Sequence, residues 1–73
     1  MSYTVILTHD AEYDGYTVTV PALPGCLTEG KSVDEALAMA KDAVSLYVQD
    51  LVAHGEPVPV EDRAPVVTTV EAA

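Results

Sequence analysis

Along the first third of the chain, polar and apolar side chains alternate. Tyr3, Val5 and Leu7 interleave with Thr4, Ile6 and Thr8, and Tyr16, Val18 and Val20 interleave with Thr17 and Thr19. A period of two belongs to a strand with one buried face, so the pattern predicts strands over Tyr3–Thr8 and Tyr16–Val20. The polar run from His9 to Gly15 ends in Asp14-Gly15, a hairpin signal. The stretch Pro21-Ala22-Leu23-Pro24-Gly25-Cys26 then ends the second strand, because neither proline donates to a ladder and Gly25 is free to take positive φ. A short third strand is expected over Cys26–Glu29, closed by Gly30.

From there the period changes. Ser32 followed by Glu35 forms a capping box and sets the helix start at Val33, while Gly55 suits the residue just past the helix end near His54. Pro57 and Pro59 forbid continuation, which makes the helix roughly 30 Å long. At 100° per residue, Val33, Ala36, Leu37, Ala40, Val44, Tyr47, Val48 and Leu51 share an arc of about 120°, a core-facing stripe. Met39, Ala43 and Leu46 fall beside it. Ala64–Val70 has the composition of a last strand, with Pro65 confining its start to a sheet edge.

These elements predict an α+β fold of order β-β-β-α-β, a small antiparallel sheet covered on one face by a single long helix. At 73 residues the chain is expected to be one domain, residues 1–73. A chain of this size buries only about 60–65% of its unfolded surface, and a single cysteine excludes an internal disulfide. Association is the usual supplement, so a homo-oligomer, dimer or tetramer, is expected. Met39, Ala43 and Leu46 are the candidate subunit contact.

Charge narrows the partners. Twelve acidic residues face Lys31, Lys41 and Arg63, a formal net charge of −9. Phosphate backbones would be repelled, so direct nucleic acid binding by this chain alone is not expected; an acidic surface suits either a basic partner or plain solubility. No apolar run approaches the roughly 18 residues needed to span a bilayer. The N-terminus opens into a strand pattern with no leader, so no membrane association and a cytoplasmic location are expected.

Catalytic chemistry is sparse. Cys26 is the only thiol, and Pro24, Gly25, Leu27 and Thr28 around it supply neither base nor cation. It reads as a packing residue. His9, Asp10, Glu12 and Asp14 lack the ligand spacing of zinc or calcium sites and read as a solvated hairpin. His54 suits the carbonyl end of the helix. Asp34 and Glu35 point about 100° apart, and Glu35 is already explained as a cap, so with Asp42 they make a poor two-metal nuclease set. No enzyme activity, catalytic residue, cofactor or metal is expected.

The ordered set of Gly15, Tyr16, Pro21, Leu23, Pro24, Gly25, Cys26, Gly30, Glu35 and Ala36, followed by Gly55, Pro57 and Pro59, resembles the HicB family, the antitoxin half of a bacterial toxin–antitoxin pair. The resemblance covers Tyr3 to about Pro59 and rests mostly on fold-making residues. It implies a β-β-β-α-β domain distantly similar to a degraded ribonuclease H sheet. It also implies a partner, a HicA-like toxin, that is a small basic mRNA-cleaving ribonuclease whose active site the antitoxin covers. Two departures stand out. Ala22 replaces a common aspartate, and the chain shows no helix-turn-helix or ribbon-helix-helix segment, so promoter binding is not expected. The alternative is an orphan oligomeric scaffold or regulatory subunit for another basic partner, also without catalysis.

Overall fold

The alternating segments form a three-stranded antiparallel meander in the computed structural model, which describes residues 1–72. Its elements are β1 (Ile6–Asp10), β2 (Gly15–Thr19), β3 (Leu27–Gly30) and α1 (Val33–Ala53), with strand order β1-β2-β3. Leu7 stands opposite Val18, and Val18 opposite Thr28. Side chains alternate across a pleat, so Leu7, Val18 and Thr28 share the helix-facing side, while the row Ile6, Thr19 and Leu27 lies on the open side.

The PALPGC segment is two successive tight turns. Leu23 N–H donates to the Val20 carbonyl at 3.0 Å, and Cys26 N–H donates to the Leu23 carbonyl at 3.0 Å. In the second turn Pro24 and Gly25 are the central residues, and Gly25 has φ +79°, the geometry of a type II turn. The double turn folds Leu23 and Cys26 inward beside Val20, making one buried cluster against Tyr3, Ala43, Val44 and Tyr47. Tyr47 also donates its hydroxyl to the Pro24 carbonyl at 2.7 Å, tying turn to helix.

The second cluster is built on small residues. Val18, Ala36 and Ala40 are buried together under Val5, Leu7 and Tyr16. Small side chains on the helix let its backbone approach the sheet, and the approach is closest at Gly30. A Cβ there would lie 2.7 Å from the Ala36 Cα and would also collide with the Ala36 nitrogen. No larger residue fits without moving the helix. Ser32 Oγ caps the helix by accepting from Glu35 N–H at 3.1 Å. The Glu35 carboxylate reaches back to the N–H of Lys31 at 3.4 Å, one residue before the cap itself. At the other end His54 is the C-cap and Gly55, with φ +67°, turns the chain away.

The structure corrects several expectations. Ala64–Val70 is not a strand: the described residues beyond Gly55 carry no regular element, and Val66 and Val70 are 89% and 91% exposed. With Pro65 lacking an N–H and no edge paired to it, the segment has composition but no ladder. The radius of gyration, 13.9 Å, exceeds the roughly 11 Å of a compact chain this long, in keeping with a projecting tail. Strand β1 begins at Ile6, not Tyr3. Continuing its register by two residues would set Thr4 opposite Pro21, where β2 has ended. The helix is also rotated from the expected stripe. Ala43 packs into the core, whereas Val33 and Leu37 are each 45% exposed. The helix lies mainly over β3 and less over β2, so one side of the stripe overhangs the partly covered β1.

Candidate partner-binding surface

The polar residues of the first hairpin are absorbed by its own geometry. Asp10 Oδ1 accepts from the N–H groups of Glu12 at 3.0 Å and Tyr13 at 3.3 Å, a side-chain turn that leaves Asp14 at φ 55° before the second strand starts. His9 packs edge-on against Tyr16, and its Nε2 lies 3.8 Å from Asp14 Oδ1. At the far end of α1, His54 Nδ1 lies 2.8 Å from the Asp50 carbonyl, a cap-region role. Asp34, Glu35 and Asp42 are exposed along the helix, and Glu35 is occupied at the cap. Among the described residues, no three His, Cys, Asp or Glu side chains gather as a metal would need. Cys26 is buried, and burial pushes its thiol pKa up, away from a reactive thiolate.

The motif residues shared with the resembled family therefore sit at turns and packing points. Leu23, Cys26 and Ala36 are core, Gly15 and Gly30 are buried where strands meet neighbours, and Pro21, Pro24 and Gly25 shape the exposed side of the double turn. Tyr16 is half-buried under the first cluster.

What remains for function is surface. On the β1 side, Leu37, Lys41 and Val44 of the helix face Met1, Tyr3 and Val5 across a shallow apolar groove of about 360 Å³. The groove exists because the helix sits over β2 and β3, leaving the helix-facing side of β1 partly uncovered. Its rim is held by the returning chain. The Tyr3 hydroxyl donates to the Pro59 carbonyl at 2.5 Å, and Glu61 accepts from both Thr4 N–H at 2.9 Å and Thr4 Oγ1 at 2.7 Å. This clamp gives Thr4 the partner that β2, already ended, does not supply.

The opposite helix flank differs. Met39 and Leu46 are 44% and 66% exposed there, interleaved with Glu35 and Asp42. Of the expected contact set Met39, Ala43 and Leu46, only the outer two reach this surface. Near its start stands Tyr13, whose phenol pKa is raised first by partial removal from water and then by the negative charges of Glu29 and Glu35. Sequence reading missed Tyr13, Glu29, the Glu61 clamp and the groove, since each depends on residues brought together from distant segments. No helix among the described residues is long and apolar enough to cross a membrane.

Comparison with known proteins places this geometry. A family model described as a HicB-like antitoxin of bacterial toxin–antitoxin systems matches residues 3–72. A UPF0150 protein of Thermoplasma acidophilum is 49% identical over 69 residues, covering 93% of this chain and 96% of the relative. A UPF0150 protein of Synechocystis is 38% identical over 61 residues, covering 84% and 76% respectively. Among solved structures, the crystal structure of the N-terminal domain of the Burkholderia pseudomallei antitoxin HicB superposes with a TM-score of 0.72. It is 29% identical and covers 90% of this chain and 74% of that one.

Proposed function

The chain belongs to the HicB-like antitoxin family of bacterial toxin–antitoxin systems, and from that premise we propose that it neutralises a small basic HicA-type mRNA-cleaving ribonuclease by covering its active site. In this reading the protein acts by binding and has no catalysis of its own. The observation that carries it is the family match over residues 3–72, joined to a formal net charge of −9. Opposite net charge draws the partners together and speeds encounter. Apolar contacts then hold the complex, because exposed ion pairs contribute little lasting affinity.

The same reading includes self-association. Among the described residues six apolar side chains form the buried core, a small number for an independent domain, and a homo-oligomer supplements it. Light scattering checks this directly, and a stable monomer of about 8 kDa would remove it. For toxin neutralisation, the experiment is co-expression with a HicA-type ribonuclease, sought first in the adjacent reading frame, followed by growth measurement and pull-down. Rescue of growth with a recovered complex supports the reading. Growth arrest despite soluble protein, with no complex, refutes it.

A further inference from the structure

We propose that the outer flank of α1, with Met39 and Leu46 as apolar anchors among Glu35, Asp42 and Asp50, is the face that seats the basic partner; this rests on the neutralisation reading above. The spacing makes it one surface. Successive steps of three or four residues link Met39 to Asp42, Asp42 to Leu46 and Leu46 to Asp50, and such residues are neighbours on a helix. Met39 and Leu46 are seven residues apart, about 10 Å along the axis. Both are exposed, so neither is spent on the core.

Charge selects the occupant. Of the three Lys and Arg residues, Lys31 precedes the helix, Lys41 lies on the other flank beside the groove, and Arg63 is on the returning chain. At the far end of the stripe, His54 Nδ1 lies 3.3 Å from Asp50 Oδ1. A two-fold contact between copies through this face would set the same acids against one another, which disfavours a second copy. A partner with Lys and Arg around one or two shallow apolar depressions meets both halves of the pattern. Leu46 then serves as the central anchor, ringed by charges that steer and orient.

The test uses the full chain and, as probe, a catalytically inactive small basic HicA-type ribonuclease. Leu46→Asp and Met39→Asp are compared with Leu37→Ser on the groove flank, after circular dichroism confirms that each variant is folded. Kd is expected to rise about 100-fold for Leu46→Asp and to stay within about twofold for Leu37→Ser, while Asp42→Lys lowers the association rate about tenfold at low salt. Amide resonances of residues 35–50 on the outer flank should shift on titration, with those of Val5, Leu37 and Val44 unmoved. If the wild type binds but Leu46→Asp binds equally well, or Leu37→Ser is the variant that fails, the surface assignment is wrong and neutralisation stands. If Leu46→Asp instead breaks self-association and leaves partner affinity intact, a second copy occupies the face and the assignment is overturned. Failure of the wild type to bind the ribonuclease removes both readings.

Discussion

Replacing Gly30 with alanine adds one methyl group at the tightest point of the fold. That carbon would stand 2.7 Å from the Ala36 Cα and 2.9 Å from the Glu35 carbonyl carbon. Ordinary carbon–carbon contact is about 3.5–4.0 Å, so helix and strand must separate by roughly 1 Å. The obstacle is backbone, which cannot rotate aside as a side chain does. Separation would also loosen Val18, Ala36 and Ala40, the cluster that seats the helix. Overpacking costs about 1–3 kcal/mol, and rigid obstacles place this case at the upper end. Relief of the strand glycine's entropy returns about 0.5–1 kcal/mol, leaving a net loss of about 2–2.5 kcal/mol. A domain of this length is stable by only about 4–11 kcal/mol. Urea unfolding with a slope near 1 kcal/mol/M should therefore show the midpoint falling by about 2–2.5 M. Gly25→Ala is the internal comparison. Its Cβ has open space, so only the positive φ is penalised, at about 1–2 kcal/mol. If Gly30→Ala unfolds within about 0.5 M of the wild type, or costs less than Gly25→Ala, the close-approach explanation is refuted.

Removing the helix cap with Ser32→Ala should cost about 1 kcal/mol, read as a lower urea midpoint with unchanged slope. Glu61→Ala removes both acceptors from Thr4 and should cost about 1–2 kcal/mol, with the Thr4 amide losing hydrogen-exchange protection while Val18 keeps its own. Cys26 gives a pH signature with a definite sign. Its folded pKa is raised above the ordinary value of 9.0, so its contribution is complete below that value and is lost as pH rises through the folded pKa. Cys26→Ala, costing about 1 kcal/mol at neutral pH, should flatten the alkaline decline in stability; an identical decline would assign it to other groups.

Local structure was legible because it depends on neighbours in sequence. Alternation at Tyr16–Val20 assigned the buried side of β2, Pro24-Gly25 marked a turn needing positive φ, and Ser32 with Glu35 located the helix start to the residue. The resemblance carried by those same residues led to the antitoxin family. Periodicity fixes the direction of a side chain within its own element, but not how far that element shifts or rotates over another. Closest approach at Gly30 and Ala36 decided that, and so turned Ala43 inward while leaving Leu37 overhanging β1. The same limit explains the last strand. Val66, Val67 and Val70 have strand-forming side chains, yet a strand also needs an edge that pairs with it, and that is a property of the assembled sheet. Met39 and Leu46 follow the same rule: helical spacing put them beside the stripe, but only the packed helix showed that they, and not Ala43, face solvent among acids.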